Sequence, residues 1–87
     1  MRGLNGKVGI VAGGGRGIGA ATARRLAEEG ASVVIGDLMG DWAREVADDI
    51  KSKGCSAIGV DLDGTDATSQ AAIVQAAIDS FGGLDFY

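Results

Sequence analysis

The stretch that decides the fold spans residues 8–19 and reads V-G-I-V-A-G-G-G-R-G-I-G. Its first part, Val8–Ala12, is a short and mostly apolar run, which is typical of a strand buried on both faces. Of the next seven residues, 13–19, five are glycine. An ordered glycine costs roughly 0.5–1 kcal/mol relative to alanine. The loop therefore predicts that something approaches this backbone too closely for side chains.

Three amphipathic patterns after this strand predict helices. Their apolar positions are Ile18, Thr22 and Leu26 in the first, Trp42, Val46 and Ile50 in the second, and Val74, Ala77, Ile78 and Phe81 in the third. We expect the helices to stop at Gly30, near Gly54 and at residues 82–83, because glycine is common just past a helix C-terminus. Thr65 or Asp66 is predicted to cap the third helix.

Strands are predicted to alternate with these helices. They are expected at Val8–Ala12, at residues 32–36 and 56–60, and at residues 84–87, where a fourth strand begins. Short connections in such an alternation imply parallel strands with right-handed crossovers. Residues 1–87 are therefore predicted to form one α/β domain with the order βαβαβαβ and a parallel sheet of strand order 3-2-1-4.

A weak internal repeat places two carboxylates at the same edge of this sheet. Residues 30–37 and 54–61 each contain a helix-stopping glycine, a strand, and an aspartate seven positions after the glycine. The plan puts Asp37 and Asp61 at the carboxyl ends of neighbouring strands. Ligands of open α/β sheets bind at that edge.

The glycine loop has the properties of a phosphate site. Backbone N–H groups at the start of a helix have no intrahelical partners, and the helix dipole adds roughly half a positive charge there. Bare glycines let a pyrophosphate reach those donors. An acidic residue about 20 positions further on then binds the adenosine ribose, and Asp37 stands at that distance. Because a carboxylate repels the extra phosphate of NADP, the pattern favours NAD.

Two other interpretations of the loop stay open at this point. Glycines in such a turn can serve tight packing alone. The spacing of Gly13, Gly15 and Gly17, with an acidic residue after the second strand, also suits a methyltransferase that binds S-adenosylmethionine. Such loops usually carry an acidic residue just before the glycines, where Val11 and Ala12 stand here.

Composition excludes several classes of function. The net charge is −4 and the basic residues are scattered, which argues against nucleic acid as a partner. No apolar stretch has the length of a membrane span. The single cysteine, Cys55, fits a reducing cytoplasm, and the lack of histidine excludes a histidine base or a histidine metal site. We predict no metal site.

Several motifs, in the right order, resemble the N-terminal portion of the short-chain dehydrogenase/reductase family. L-N-G-K-V at residues 4–8 is similar to the family's opening, and G-G-G-R-G-I-G at residues 13–19 matches its Gly-x-x-x-Gly-x-Gly motif. D-L at residues 61–62 resembles the pair that contacts adenine, and F-G-G-L-D at residues 81–85 resembles the approach to the fourth strand. The similarity covers essentially the whole chain.

The resemblance implies a Rossmann-type NAD(P)-binding domain of an oxidoreductase that transfers a hydride between nicotinamide and a carbonyl or alcohol substrate. It also implies a homo-oligomer. The cofactor-binding residues that it implies are Gly13, Gly17 and Gly19 around the pyrophosphate, Arg16 and Ile18 along the loop, Asp37 with Leu38 at the ribose, and Asp61 with Leu62 at the adenine. Arg16 is the residue that would accept a 2′-phosphate instead and weaken the preference for NAD.

Two features depart from the family pattern. Ala12 stands where the family usually has a threonine that helps to hold the loop. The family's later Asn-Asn-Ala-Gly segment, its serine and its Tyr-x-x-x-Lys pair do not occur here, so no catalytic residue is assigned. Since the chain stops at Tyr87, within the fourth predicted strand, we expect a truncated part of a longer enzyme. The alternative is a dinucleotide-binding module without catalysis.

Three further groups of residues have a functional and a structural interpretation. Trp42 either stacks on adenine or belongs to the apolar face of its helix. Asp63 and Asp66, close to Asp61, either form a cation site or belong to a solvated turn and a helix cap. Cys55 is either a reactive thiol or a small packing residue, and we favour the structural interpretation of each group.

Overall fold

The computed structural model describes residues 4–13 and 15–87. Within these residues, strands and helices alternate as the sequence predicts. The elements are β1 (Val8–Ala12), α1 (Gly17–Glu28), β2 (Ser32–Asp37), α2 (Gly40–Ser52), β3 (Ala57–Asp61) and α3 (Ala67–Phe81). The fold is a Rossmann-type α/β fold, as predicted.

The three strands form a parallel sheet in which β2 lies between β1 and β3. The register pairs Ala12 with Gly36 at the end of β1, and Asp37 with Asp61 at the end of β2. The two aspartates are thus neighbours at the carboxyl edge of the sheet. The internal repeat in the sequence predicted this placement.

Residues 84–87 lie against the free side of β1. Gly9 pairs with Val33 on one side and forms a single parallel bridge with Phe86 on the other. The Ile10 amide donates to the Phe86 carbonyl at 3.0 Å, and the Val8 amide donates to the Asp85 carboxylate at 2.8 Å. This is the side on which the predicted fourth strand belongs, but only one bridge forms, so the complete order 3-2-1-4 stays a prediction.

The face of α1 that packs on the sheet differs from the predicted one. Ile18 is 87% exposed and Thr22 is exposed, whereas the buried residues are alanines. They are Ala20, Ala23 and Ala27. Small side chains let the helix backbone approach β2 closely, whereas the predicted face rested on the larger residues. Leu26, the third predicted position, is partly buried against the same core.

Helix α2 buries two of its three predicted positions, whereas α3 buries only Ala77 of its four. Helix α2 buries Val46 and Ile50 and packs with α1 on one face of the sheet. Helix α3 covers the opposite face, where Ile73 and Ala77 are its buried positions. Ile78 was predicted in that face but is 43% exposed, because the helix is rotated toward Ile73.

The ends of α3 match the predicted signals. The Asp66 carboxylate accepts a hydrogen bond from the Thr68 amide at 2.8 Å, so Asp66 rather than Thr65 is the cap. Gly82 ends the helix in a left-handed conformation with φ of 83°. Among the described residues, no helix is both long enough and apolar enough to cross a membrane.

Candidate functional site

The glycine loop connects the end of β1 to the start of α1 at the carboxyl edge of the sheet. The Gly13 amide donates to the Gly36 carbonyl at 2.7 Å, which anchors the loop to β2. Gly13 and Gly17 have φ values of 72° and 62°. L-residues with side chains rarely adopt this left-handed conformation, so the backbone requires glycine at these two positions. Gly14 lies outside the described residues.

Close approach explains the glycine at position 15. A Cβ at Gly15 would lie 2.8 Å from the Asp37 Oδ2 atom and 2.8 Å from the Trp42 Cβ atom. At Gly13 and Gly17, by contrast, an added Cβ would meet nothing within 4 Å. The protein's own side chains thus crowd the loop at Gly15, while Gly13 and Gly17 border open space.

Backbone donors at the start of α1 face a site suited to an anion. Arg16 is the N-cap residue, its side chain makes no capping hydrogen bond, and no acidic residue stands in the first turn of α1. The first amides of a helix lack intrahelical acceptors, and its N-terminus carries about half a positive charge. The positive charge of Arg16 adds to that of the helix. An anion such as a pyrophosphate complements both.

Both carboxylate oxygens of Asp37 accept a backbone hydrogen bond, one from the glycine loop and one from the residues that follow β2. Its Oδ2 atom accepts from the Gly15 amide at 3.0 Å, and its Oδ1 atom accepts from the Met39 amide at 2.9 Å. These bonds hold the carboxylate at the end of β2 and beside the glycine loop. Asp37 is half-buried, so the carboxylate is still reachable from solvent.

The side chains of Arg16 and Trp42 contact each other near Asp37. The Arg16 guanidinium carbon lies 4.3 Å from the centroid of the Trp42 ring, which is a cation–π contact. The Trp42 side chain is partly buried and lies between Gly15 and Arg16. Arg16 covers one face of the ring, and Trp42 is not among the buried residues of α2, so it does not belong to the buried face of that helix.

Large apolar side chains are exposed beside the loop and after β2. Ile18 is 87% exposed, Leu38 is 73% exposed and Met39 is 48% exposed. A pair of predicted site residues, Ile18 and Leu38, thus presents apolar surface to solvent at the edge where ligands of open α/β sheets bind. Exposed apolar groups of this kind are typical of binding grooves.

The predicted adenine pair, Asp61 and Leu62, divides between surface and core. The Asp61 carboxylate is 75% exposed and lies 3.7 Å from the Arg44 guanidinium. A Cβ at Gly40 would collide with it, so the first residue of α2 leaves room for this carboxylate. The Leu62 side chain is buried among the residues under α3, and its amide donates to the Asp37 carbonyl at 2.9 Å. Asp61 is the accessible member of the pair.

The remaining acidic residues after β3 serve local structure. Asp63 accepts hydrogen bonds from the Thr65 amide at 2.9 Å and the Thr65 hydroxyl at 2.6 Å, and these bonds lower the pKa of Asp63. Asp66 caps α3. The interpretation as a turn and a cap is confirmed. In residues 4–13 and 15–87, no three acidic or cysteine side chains are grouped closely enough to hold a metal ion.

Arg44, which was not predicted as a site residue, pairs with Asp41 in the first turn of α2 and with Asp61 at the end of β3. Its guanidinium lies 2.9 Å from Asp41 and 3.7 Å from Asp61, and the Asp41 hydrogen bond is the main cause that raises the Arg44 pKa. The ion pair between Arg44 and Asp41 has helical i,i+3 spacing and could have been predicted from the sequence. The Asp61 pair depends on the packing of α2 against β3.

The glycine loop and the adjacent Asp37 carboxylate thus lie together at the carboxyl edge of a parallel α/β sheet, the edge at which ligands of such sheets bind. The family model described as short chain dehydrogenase matches residues 7–86. The chain therefore belongs to the short-chain dehydrogenase family, as its motifs predicted. The methyltransferase interpretation is thereby set aside.

Two curated relatives and one solved structure illustrate the similarity. The chain is 49% identical over 81 residues to 2,5-dichloro-2,5-cyclohexadiene-1,4-diol dehydrogenase of Sphingobium indicum, covering 93% of this chain and 32% of the relative. It is 48% identical over 79 residues to cis-4-hydroxycyclohexanecarboxylate dehydrogenase of Sinomonas cyclohexanicum, covering 91% and 31%. A crystal structure of hydroxysteroid dehydrogenase from Escherichia coli superposes with a TM-score of 0.91 and 38% identity, covering 94% and 34%. The chain spans about a third of the length of these relatives.

Proposed function

We propose that this chain is the dinucleotide-binding part of an NAD-dependent oxidoreductase that transfers a hydride between nicotinamide and a carbonyl or alcohol substrate. The observation that carries the proposal is the pairing of the Gly15 amide with the Asp37 carboxylate at 3.0 Å. It joins the loop suited to a pyrophosphate to the residue suited to a ribose. One ligand, an adenine dinucleotide, has both groups at adjacent positions.

Each part of the site has a proposed role toward this ligand. The amides at the start of α1 bind the pyrophosphate, the Asp37 carboxylate accepts from the ribose hydroxyls, and the Asp61 carboxylate accepts from the adenine amino group. The full proposed set is Gly13, Arg16, Gly17, Ile18, Gly19, Asp37, Leu38, Asp61 and Leu62, of which Leu62 contributes its backbone because its side chain is buried.

The fixed charge of Asp37 supports NAD over NADP as the cofactor. Two backbone amides hold this carboxylate in place, so it cannot turn away from a 2′-phosphate without losing both hydrogen bonds. Two negative groups at hydrogen-bonding distance repel each other, and the repulsion is strongest where water is partly excluded. The 2′-hydroxyl of NAD, by contrast, donates to the same carboxylate.

The chemistry of hydride transfer belongs to the nicotinamide ring, which accepts or releases the hydride when the cofactor is bound. The residues of this chain bind and orient the adenosine and pyrophosphate groups. We propose that the groups that protonate the substrate oxygen lie elsewhere in a longer protein, which we expect to be a cytoplasmic homo-oligomer. The names of the relatives specify a diol, a hydroxy acid and a hydroxysteroid, and this supports an alcohol–ketone pair as the substrate class.

The test is a comparison of NADH and NADPH binding by isothermal titration calorimetry. We expect NADH to bind at least about tenfold more tightly, a difference of about 1.4 kcal/mol. Asp37→Asn keeps a side-chain oxygen as an acceptor but removes the charge, and it should narrow that gap. The matched control is Asp48→Asn, which removes one charge from the exposed Asp48–Lys51 pair on α2 and should leave the gap unchanged. Equal affinities in the unmutated protein would contradict the role of Asp37.

A second measurement separates the enzyme from a binding module without catalysis. Both bind the dinucleotide, but only the enzyme forms NADH from NAD and an alcohol. We expect the longer parent protein to give that turnover with a cyclic secondary alcohol, as followed by nicotinamide absorbance. Binding with no turnover across cyclic alcohols and ketones would favour the binding module.

A further inference from the structure

The Arg16–Trp42 contact joins the two turns that flank the proposed ribose site. Arg16 is the last residue before α1, and Trp42 is the third residue of α2. Their side chains meet with 4.3 Å between the guanidinium carbon and the ring centroid. Asp37 lies between the two turns in the chain and contacts the loop through Gly15. The stack therefore lies next to the carboxylate that is proposed to choose between NAD and NADP.

Nothing in the local charges explains why Arg16 stands there. A positive side chain at a helix N-terminus is unfavourable toward the helix dipole. Within the described residues, no carboxylate lies within ion-pairing distance of Arg16. The Trp42 ring is the contact that holds this exposed side chain in one place.

The stack leaves the hydrogen-bonding capacity of Arg16 available. A guanidinium is planar and carries five N–H donors around its edge. A cation–π contact involves the face or the charge of the guanidinium, and it does not use these donors. Arg16 held on Trp42 can therefore still donate to a phosphate oxygen. An arginine without the ring would have to lose its rotamer freedom on binding that phosphate.

We propose that Trp42 is a positioning residue that holds the Arg16 guanidinium beside the adenosine ribose, where its charge offsets that of Asp37 and sets how strongly a 2′-phosphate is rejected. The proposal rests on the proposed function. In this account Asp37 gives the preference for NAD, and the Arg16–Trp42 stack limits it. Removing the ring frees the Arg16 side chain. Because its positive charge is then no longer held where it offsets Asp37, the preference for NAD becomes stronger.

The test uses calorimetry to compare the ratio of the dissociation constants for NADP⁺ and NAD⁺ in five proteins: the unmutated protein, three single variants and one double variant. The variants are Trp42→Leu, which keeps an apolar helix residue without an aromatic face, Trp42→Phe, which keeps the face, and Arg16→Gln, which removes the charge. We expect Trp42→Leu and Arg16→Gln each to raise the ratio about two- to fivefold, as the strength of an exposed cation–π contact implies. Trp42→Phe should stay close to the unmutated protein, and the Trp42→Leu/Arg16→Gln double variant should show no further change.

A merely structural role for Trp42 predicts a different result. If Trp42 only packs, its loss weakens the binding of NAD⁺ and of NADP⁺ equally. An unchanged ratio of the two dissociation constants in Trp42→Leu, with its fold verified by circular dichroism, would therefore overturn the inference. If Trp42→Leu fails to fold, the ratio in Arg16→Gln decides, together with the emission of Trp42, which is the only tryptophan. That emission should change in Arg16→Gln if the stack exists in solution, and an unchanged spectrum would overturn the inference. Failure of the unmutated protein to bind either dinucleotide would instead contradict the proposed function.

Discussion

The Asp37 carboxylate at the end of β2 accepts a hydrogen bond from the Gly15 amide of the glycine loop at 3.0 Å. The residue proposed to select the cofactor is thus part of the structure that holds the glycine loop. Removing the Asp37 side chain changes both the charge and the support of the loop. Asparagine keeps one of the two acceptor oxygens, so it removes the charge and one of the two backbone hydrogen bonds to this side chain while it still supports the loop better than alanine does.

Crowding at Gly15 gives the first prediction. Gly15→Ala places a Cβ 2.8 Å from both the Asp37 carboxylate and the Trp42 Cβ atom, and we expect it to lower the free energy of unfolding by about 1–3 kcal/mol. It should also weaken dinucleotide binding. The control is Gly64→Ala, because neither glycine has a positive φ and an added Cβ at Gly64 meets nothing within 4 Å. Urea unfolding that shows equal stability for the two variants would contradict the described packing.

The cap of α3 gives a second prediction, which concerns stability alone. Asp66→Ala leaves the Thr68 amide without its acceptor and should cost about 0.5–2 kcal/mol of unfolding free energy. Asp66→Asn should cost much less, because asparagine is an equally good N-cap residue. Thermal unfolding of the three proteins gives the comparison. A loss for Asn as large as that for Ala would show that the charge of Asp66, and not the cap, matters.

Acid stability gives a third prediction. The hydrogen bond from the Arg24 Nε atom, 2.9 Å long, is the main cause that lowers the pKa of Asp49. A carboxylate whose folded pKa is depressed stabilises the fold above its unfolded pKa of about 3.9, and this contribution disappears as the pH falls through the lower folded pKa. We expect the unfolding free energy to fall below about pH 4 and to fall less steeply in Arg24→Gln.

The matched variant for this pH experiment is Arg25→Gln. Arg25 lies next to Arg24 on α1 but pairs with Glu28 and Glu29 rather than with Asp49. Its loss should leave the acid slope between about pH 4 and pH 2 close to that of the unmutated protein. Identical slopes in Arg24→Gln and the unmutated protein would mean that the Arg24–Asp49 pair does not persist in solution.

The edge of the sheet could be predicted from the sequence because it depends on local patterns. Each strand is a short apolar run, and the repeated distance from a glycine to Asp37 and from a glycine to Asp61 places both aspartates in one register. The left-handed φ values at Gly13 and Gly17 follow equally from a strand that must turn sharply into a helix. These features need no knowledge of distant contacts.

Other features depend on how elements pack and could not be predicted. The alanines of α1 face the sheet because small side chains allow close approach, whereas periodicity indicated Ile18, which is exposed. Nothing in the sequence indicates that Trp42 contacts Arg16, since the two residues meet only when α1 and α2 pack together. For the same reason the sequence left open whether a ligand or tight packing requires the loop glycines, and it did not show that Asp37 and Trp42 crowd Gly15.

The central claim is that a dinucleotide binds at the glycine loop and Asp37. Its most direct test is to titrate the ¹⁵N-labelled protein with NAD⁺ and to monitor the amide chemical shifts. The account predicts that the largest changes fall on the loop and strand ends at the carboxyl edge, at Gly13, Gly17, Gly19 and Asp37. The opposite edge of the sheet, with Gly30 and Gly54 beside a shallow pocket, should stay unchanged. Changes concentrated at Gly30 and Gly54, or none at NAD⁺ concentrations in the millimolar range, would contradict it.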